Sequence, residues 1–450
     1  MSMDALCVPL TGDAVLLNGR VPASLLKDPL PSGSQSLQDG DLLAVDIEIR
    51  NGRIAAIQPL SGSRPSAGSD ARVDLDGGLV LPCLVDMHTH LDKGHIWPRK
   101  PNPDGSFMGA LTAVGEDRAA NWSAADLTAR MEFALRCAYA HGTAVIRTHI
   151  DSLPPQDGIS WPVFEMMRDR WAGRIAMQGV CLFGIERVAE DPGYLPRIAD
   201  RMAQNGGVLG GVTYMVPDLE RDLEAVFRTA MERGLDLDFH VDETLDPEAV
   251  SLKKIAETAL RLQFPGRIVA GHCCSLAMQP EKHIQETLDL VAQAGIGVVS
   301  LPMCNLYLQD RQKERTPRRR GVTLLHELKD RGIPVAVASD NTRDPFFAYG
   351  DLDLIEVYAQ ATRIAHLDHP VGDWITAVSS GPADMIGLAA GRFEVGGPAD
   401  VLIFRVRSWN ELLSRPHGPR TVLRAGRTID RTLPDFRELD HLMKTEDKVT

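Results

Sequence analysis

Between about residues 80 and 388, short apolar runs alternate with longer segments in which apolar residues recur every three to four positions. The short runs predict buried strands, and the longer period predicts helices that cover them. Regular alternation of the two is typical of βαβ units in a parallel sheet. The predicted strands are residues 80–88, 143–149, 174–182, 207–214, 235–242, 267–272, 295–302 and 334–340. The clearest predicted helices are residues 124–139, 219–232, 247–262, 280–294 and 324–330. The pattern therefore predicts an α/β fold with a (β/α)8 TIM-type barrel.

The pattern differs at both ends of the chain, where short alternating runs and turns dominate. Residues 46–57 predict a hairpin that reverses at Asn51-Gly52, a pair that tolerates the left-handed backbone of a tight turn. Residues 401–404 and 421–424 predict two further strands beside glycine-containing turns. We predict a small β-sandwich domain built from both chain ends. The predicted domains are residues 1–76 and 391–450 for the two parts of the sandwich and residues 77–390 for the barrel.

Composition and charge narrow the classes of partner. The 450 residues carry a formal net charge of −13, with acidic residues spread along the chain. This balance disfavours nucleic acid and anionic membranes as partners, and no apolar run is long enough to span a bilayer. Because no signal-peptide pattern opens the sequence, we expect a cytoplasmic location. The seven cysteines are odd in number and lack CxxC spacing, which predicts reduced thiols.

Polar side chains stand at the carboxyl ends of several predicted strands, where a barrel of this type places its active site. The first strand ends in His88-Thr89-His90, and residues two apart in a strand project from the same face. Two imidazoles on one face are half of a metal site with nitrogen ligands. A lone histidine there is more often a hydrogen-bonded core residue. Because several His, Asp and Glu residues share one rim, we predict a metal site instead.

The roles of these residues follow from their chemistry. We predict that four side chains hold one divalent cation: His88, His90, His240 and Asp340. The set leaves a position open for water, and the cation lowers the pKa of that water so that hydroxide is available near neutral pH. Glu243 lies past its strand and can shuttle a proton to a ring nitrogen or a leaving amine. Asp340 is placed to take a proton from the water, and His272 to hydrogen-bond the water or the developing oxyanion.

Several motifs resemble, in the same order, those of the amidohydrolase superfamily and, within it, the cytosine deaminase-like group. They are His88-Thr89-His90-Leu91-Asp92, Arg147-Thr148-His149-Ile150-Asp151, His240-Val241-Asp242-Glu243, Gly271-His272, Asn305-Leu306-Tyr307-Leu308-Gln309 and Asp340-Asn341. The resemblance runs over nearly the whole chain and implies hydrolytic deamination with one Zn²⁺ or Fe²⁺ per subunit. The fourth predicted strand has neither the lysine nor the glutamate that a two-metal relative uses, which favours a single ion.

Departures from that group indicate which ring is bound. Its cytosine deaminases carry a glutamine just past strand three, where this chain has Phe183-Gly184. Asn341 stands where relatives often have a second carboxylate, and Phe346 where they have a larger ring. Losing a bidentate amide and a charge changes the accepted ring, because unpaired buried polar groups are costly. Lys93, beyond strand one, is expected to be a solvated or substrate-facing loop residue. The predicted substrate contacts are Phe183, Gly184, Gln309, Asn341, Phe346 and, on the loop after strand one, Trp97.

Together these features predict a metal-dependent hydrolytic deaminase that releases ammonia from a small nitrogen heterocycle. The candidates are a cytosine-like aminopyrimidine, an aminotriazine and a cyclic amidine, and the departures argue against cytosine itself. One alternative is a cyclic-amide or N-alkyl aminohydrolase of the same superfamily, and another is a non-catalytic barrel that binds a metal or ligand. Glu243 argues against the last, because a mere binding site needs no free carboxylate beside the metal. We also expect a homo-oligomer.

Overall fold

The structure is a computed structural model that describes residues 13–30, 41–60 and 71–443. The parts of our predictions that fall on residues 1–12, 31–40, 61–70 and 444–450 lie outside the described residues. The strands are β1 (Ala14–Pro22), β2 (Leu42–Arg50), β3 (Arg53–Pro59), β4 (Ala71–Asp74), β5 (Val80–Pro82), β6 (Leu84–Thr89), β7 (Thr143–Asp151), β8 (Ala176–Leu182), β9 (Leu209–Thr213), β10 (Leu237–Val241), β11 (Ile268–His272), β12 (Ile296–Ser300), β13 (Val335–Val337), β14 (Val401–Phe404), β15 (Arg420–Arg424) and β16 (Arg427–Thr428). The α-helices are α1 (Phe107–Asn121), α2 (Ala124–His141), α3 (Asp157–Trp171), α4 (Arg187–Glu190), α5 (Tyr194–Asn205), α6 (Leu219–Arg233), α7 (Ser251–Leu262), α8 (Glu281–Gln293), α9 (Pro302–Leu308), α10 (Leu325–Asp330), α11 (Leu354–Ala365), α12 (Ser380–Ile386), α13 (Trp409–Ser414) and α14 (Asp440–Met443).

The strands β6 to β13 are parallel and lie within or beside the eight predicted segments. They form a three-stranded sheet in the order β6-β7-β8 and a five-stranded sheet in the order β13-β12-β11-β10-β9. Isolated parallel bridges join the chain just after β8 to β9 at Gly184–Val212, and join the end of β6 to the chain after β13 at Thr89–Asp340. The carboxyl ends of the eight strands therefore lie on one side of the parallel sheets, with helices between successive strands. The α/β class of the prediction is confirmed.

The first predicted strand, residues 80–88, is two strands in different sheets, which corrects that prediction. β5 pairs antiparallel with β14 from the C-terminal segment, whereas β6 pairs parallel with β7. The change falls at Cys83, whose N–H donates to the carbonyl of Asp400, while the N–H of Leu84 donates to the carbonyl of Gly142. Both halves are apolar because both are buried, so hydrophobicity alone gave no sign of the break.

Two four-stranded sheets accompany the parallel strands, in the orders β3-β2-β1-β4 and β16-β15-β14-β5. The predicted hairpin is present as β2 and β3, and its turn has positive φ at Asn51 (50°) and Gly52 (74°). The N–H of Ile54 donates to the carbonyl of Gly397 at 2.9 Å, and the N–H of Ala399 donates to the carbonyl of Gly52 at 2.9 Å. Backbone hydrogen bonds thus tie the N-terminal hairpin to the C-terminal segment.

Packing is continuous from the N-terminal sheet to the C-terminal strands. One cluster of buried apolar residues contains members of β2, the helices around the parallel strands, and β14. The six cysteines of the described residues are buried with free thiols, as expected for a reduced protein. Within the same residues, every helix is too short or too polar to cross a lipid bilayer. The predicted helix 247–262 begins later, at Ser251, where the Asp242 carboxylate accepts the N–H of Leu252 at 3.1 Å.

A buried arginine on α2 holds the turn that follows β6. Arg130 is fully buried, and its Nη1 donates to the carbonyl of Asp92 at 2.6 Å and to that of Gly94 at 2.9 Å. Its Nη2 donates to the Asp126 carboxylate at 2.7 Å. Because the two carbonyls belong to the turn just after His90, Arg130 fixes the chain where it leaves the strand that carries both histidines.

We expect Arg130→Met to lower the free energy of unfolding by about 2–4 kcal/mol, because two buried carbonyls and one carboxylate lose a donor. Arg136→Met is the matched control on the same helix, since Arg136 pairs with Glu438 at the surface. Its cost should stay below about 1 kcal/mol. Urea unfolding followed by circular dichroism measures both. Equal losses in the two variants would contradict the anchoring role.

Candidate metal centre and active site

The four predicted ligands meet at the carboxyl ends of the parallel strands. His88 and His90 come from β6 and its end, His240 from β10, and Asp340 follows β13. The Nε2 atom of His240 lies 3.2 Å from Nε2 of His88 and 3.1 Å from Nε2 of His90. The Oδ1 atom of Asp340 lies 3.6 Å from Nε2 of His88 and 3.3 Å from Nε2 of His90. All four side chains are buried, so the structure brings together residues from three separate parts of the sequence.

The donor set fits a bound cation. Ligand atoms held at 2.0–2.1 Å in a tetrahedral arrangement lie about 3.3 Å from one another, close to the separations seen here. Burial, followed by nearby positively charged groups, lowers the pKa of His88, His90 and His240 well below the usual value. Neutral imidazoles offer lone pairs that repel one another unless a cation or a proton lies between them. Three nitrogens and one carboxylate oxygen suit Zn²⁺ or Fe²⁺.

Strained backbone accompanies this site. His272 at the end of β11 and Asp340 after β13 have φ of 67° and 62°, and Asp242 has 45°. Non-glycine residues in the left-handed region cost on the order of 1 kcal/mol or more each and persist only where the surroundings hold them. At Asp340 this conformation follows directly on a strand, and the carboxylate lies against the histidines. At His272 and Asp340 the strain therefore lies at residues whose side chains face the site, whereas the Asp242 carboxylate accepts the N–H of Leu252.

A second group of buried ligand atoms lies beside the first. His88, His149 and Asp238 offer atoms within 4.8 Å of one another, and the rings of His88 and His149 are 4.1 Å apart. The Asp238 carboxylate, however, accepts a hydrogen bond from Nη1 of Arg147 at 2.6 Å. That guanidinium already balances the negative charge of Asp238. The cluster that includes Asp340 is therefore the better site for a divalent ion.

Glu243 lies past the end of β10 and faces this cluster. Its Oε1 accepts a hydrogen bond from Nδ2 of Asn305 at 3.1 Å and lies 3.5 Å from Nδ1 of His272. The same Asn305 nitrogen lies 3.0 Å from Nδ1 of His272. Burial and the Asp340 carboxylate raise the pKa of Glu243 well above its usual value. A carboxyl group in this position suits proton transfer near neutral pH.

Sequence reasoning missed Asn305 and left Lys93 open between a solvated and a substrate-facing position. Lys93 is buried, which excludes the solvated position: its Nζ lies 2.9 Å from Oδ1 of Asp151 and 5.7 Å from the ring centroid of Phe346. Its position three residues after His90 was a usable signal, as was the position of Asn305 after the seventh barrel strand. Neither residue type is a common metal ligand, so spacing alone did not mark them.

The loops after β6 and β13 run together and carry two of the predicted substrate contacts. The N–H of Trp97, which is half-buried, donates to the carbonyl of Arg343 at 2.8 Å. The rings of Phe107 and Phe346 meet edge to face with centroids 5.5 Å apart. Phe346 thus lies close to both Phe107 and the ammonium group of Lys93. Trp97 and Phe346 as substrate contacts stay predictions.

Asn341 and Gln309, two further residues predicted to contact the substrate, hydrogen-bond to other groups of the protein. Nδ2 of Asn341 donates to the Asp344 carboxylate at 2.7 Å. Nε2 of Gln309 donates to the backbone carbonyl of Glu243 at 3.1 Å. Both side chains therefore support the site from within, and Gln309 steadies the loop that carries Glu243. Their contact with substrate stays a prediction.

The two predicted contacts past β8 have different surroundings. Phe183 is buried with its ring 5.0 Å from that of Tyr194 on α5, a place in the helix layer that gives no support to substrate contact. Gly184 is partly accessible, and a Cβ atom there would lie 2.2 Å from Oε1 of Glu186. The carboxylate of Glu186 therefore occupies the space that a side chain at position 184 would need.

Comparison with known proteins supplies a family. The family model described as "Amidohydrolase family" matches residues 197–430. A pterin deaminase of Rhizobium rhizogenes (strain K84) is 52% identical over 441 residues, which cover 98% of this chain and 99% of that protein. The N-isopropylammelide isopropyl amidohydrolase of Pseudomonas sp. (strain ADP) is 22% identical over 349 residues, 74% of this chain and 81% of that protein. A crystal structure of 5-methylcytosine deaminase from Klebsiella pneumoniae with 5-fluorocytosine has a TM-score of 0.79 at 22% identity, covering 94% of this chain and 98% of that chain.

We expect purified protein to contain one divalent metal ion per chain and His240→Ala to lose it, because His240 contacts both His88 and His90. Elemental analysis after dialysis, with circular dichroism to confirm folding, measures the content. His283→Ala, an exposed histidine on α8, is the control and should retain the ion. A folded His240→Ala variant with full metal content would contradict the site.

Proposed function

The chain belongs to the amidohydrolase family and is a hydrolytic deaminase of a nitrogen heterocycle, and we propose that this heterocycle is a pterin. The observation that carries the proposal is the 52% identity to a pterin deaminase over nearly the full length of both chains. The pyrimidine and triazine relatives named above are 22% identical. A pterin contains a cyclic amidine, one of the substrate classes that the sequence predicted, and its amino-bearing carbon is the point of attack.

We also infer the finer features of the fold and assembly from the family. Strands β6 to β13 would form the (β/α)8 barrel, and the two four-stranded sheets would form the small β-sandwich, with the domain limits predicted above except that β5 joins the sandwich. The bridges at Gly184–Val212 and Thr89–Asp340 support this arrangement. The homo-oligomer and the cytoplasmic location stay predictions.

We propose that His88, His90, His240 and Asp340 hold one Zn²⁺ or Fe²⁺ ion. A divalent cation in that place polarises a water molecule and lowers its pKa toward neutrality. Asp340 is the carboxylate nearest the histidine nitrogens and is placed to receive a proton from the water. The remaining groups of the site then handle the substrate.

Glu243 is the proposed proton shuttle. It delivers a proton to the ring nitrogen beside the amino-bearing carbon as the C–O bond forms. It then takes the hydroxyl proton of the adduct and passes it to the amine, so that the C–N bond breaks and ammonia leaves, and the proton held by Asp340 restores Glu243. Asn305 holds it in place, because the amide NH₂ group has two donors and lies within 3.1 Å of both Glu243 and His272. When Asn305 donates to Nδ1 of His272, the proton of that imidazole is on Nε2. That atom is buried, has no hydrogen-bond partner in the described part of the chain, and can donate to the oxygen that adds to the ring.

Lys93 and Phe346 would bind the rest of the ring. The Lys93 ammonium has three donors, of which Asp151 takes one at 2.9 Å. A second can reach the carbonyl oxygen of an oxo-heterocycle, which is the other polar group of a pterin. The Phe346 ring lies beside this ammonium and provides an apolar surface for a flat substrate.

With metal-loaded enzyme, we expect ammonia release to be faster from pterin than from cytosine or an aminotriazine. Glu243→Gln should retain the ion and lower turnover by roughly 10²- to 10⁴-fold, since the shuttle is lost. Glu248→Gln is the control, because Glu248 is exposed in the loop that follows Glu243. Release of an alkylamine from an N-alkyl substrate, with none of ammonia from pterin, would favour the aminohydrolase alternative. Metal-loaded protein inactive on all of them would favour the binding barrel.

Asn305→Ala should lower kcat by roughly 10- to 100-fold with a much smaller change in KM, because the variant leaves Glu243 and His272 without their shared donor. Asn305→Asp keeps the size of the side chain but removes the NH₂ group, and should lose as much. The pH dependence of kcat should shift in both variants, which a purely structural role would not produce. Full activity of Asn305→Asp would overturn the positioning role.

A further inference from the structure

Two polar residues at the same rim have no part in the mechanism above: Glu186 beyond β8 and Tyr214 beyond β9. The hydroxyl of Tyr214 donates to Oε2 of Glu186 at 2.5 Å. The other oxygen, Oε1, has no hydrogen-bond donor among the described residues. The neighbouring Arg187 is directed elsewhere, to Glu190 and Asp191. A carboxylate with one oxygen fixed and one free is therefore held at the strand ends.

Strand register indicates that this carboxylate faces the substrate side. Arg147 is opposite Gln178 in β8 and hydrogen-bonds it at 2.9 Å, so Gln178 and the residues at two-residue steps from it, including Gly184, share the inward face. In β9, Val212 is opposite His240, and Tyr214 follows it by two residues. Gly184 and Tyr214 thus lie on the same face as the metal-centre histidines, at their carboxyl ends.

Gly184 makes room for the carboxylate at this place. A Cβ atom on residue 184 would lie 2.2 Å from Oε1 and 2.5 Å from Oε2 of Glu186. Any side chain there would displace the carboxylate from its contact with Tyr214. The position of the Glu186 carboxylate therefore depends on residue 184 being a glycine.

Resting on the proposed function, we propose that Glu186 accepts a hydrogen bond from a ring N–H on the flank of the substrate opposite Glu243. Glu243 is held by Asn305 and lies beside His272, toward β11 and β12, whereas Glu186 lies past β8. The two ring atoms that flank the amino-bearing carbon therefore face two different carboxylates. In a pterin these atoms are N1, which Glu243 protonates, and N3–H, which Glu186 accepts.

This arrangement favours a lactam-containing ring over cytosine. A carboxylate is an acceptor only, so it matches N–H and leaves C–H unpaired. In cytosine the atom on that flank is a carbon that bears hydrogen, and an unmatched carboxylate at the site weakens binding. Glu186 is thus a specificity-determining residue that selects 2-amino-4-oxo rings.

The test compares pterin with 3-methylpterin, which lacks the N3 hydrogen. For wild type we expect methylation to lower kcat/KM by roughly 10- to 150-fold, as for loss of a hydrogen bond to a charged group. The Glu186→Ala variant should have a kcat/KM for pterin that is lower than that of wild type by a similar factor. In this variant, kcat/KM should be nearly the same for pterin and 3-methylpterin. Tyr214→Phe should show a smaller loss in the same direction. Glu190→Gln, at an exposed acid on α4, the short helix that begins directly after Glu186, should behave as wild type.

If methylation costs wild type and Glu186→Ala equally, the inference is wrong. Should wild type release no ammonia from pterin, the proposed function fails, but the inference is still decided by binding. Fluorescence titration of metal-loaded Glu243→Gln with both ligands would then show a preference for pterin that Glu186→Ala in the same background abolishes. Equal affinities for the two ligands in both proteins would overturn it. If Glu186→Ala does not fold, Glu186→Met serves, since it keeps most of the volume and removes the carboxylate acceptor.

Discussion

The buried Nε2 atom of His240 lies 3.1–3.2 Å from the buried Nε2 atoms of His88 and His90, with a carboxylate oxygen beside them. This cluster is the constraint on which the structure depends. Neutral lone pairs at that distance repel one another unless a cation or a proton lies between them, and a rigid framework must hold the side chains in place. Buried polar contacts around the site provide this framework. Arg130 donates to the backbone carbonyls after β6. The N–H of Ser339, the residue before Asp340, donates to the Asp86 carboxylate.

Much of this framework follows from rules that act locally in sequence. Alternation places His88 and His90 on one face, and parallel strands bring His240 and Asp340 to the same edge, so the ligands could be predicted together. The break at Cys83 could not, because it depends on a strand that pairs from the far end of the chain. Lys93 likewise depends on a contact with Asp151 on the neighbouring strand, which spacing does not encode.

Below the proposed ligands, a second polar layer is neutralised from within. Arg147 bonds both Asp238 and Gln178, so the buried carboxylate of Asp238 is balanced by a guanidinium. This ion pair affects which of the two clusters binds the cation. Without Arg147, Asp238 together with His88 and His149 would offer a competing site. Buried ion pairs contribute little net stability, but here the pair with Arg147 makes Asp238 a weaker competitor for a cation than Asp340.

Selection of the substrate ring then follows from which oxygen atoms stay free. Asp340 faces the histidines, and Glu243 is bonded to Asn305, so neither can also serve the far flank of a flat ring. Glu186 can, and only because Gly184 has no side chain to displace it. A glutamine at 184 would present an amide that both donates and accepts, whereas the carboxylate at 186 only accepts. Replacing the amide by the carboxylate changes what the substrate must offer at this place. An amide matches an edge with both a donor and an acceptor, whereas the carboxylate matches an N–H group. The departure at 184 is thus better explained as a change of specificity than as the loss of a contact.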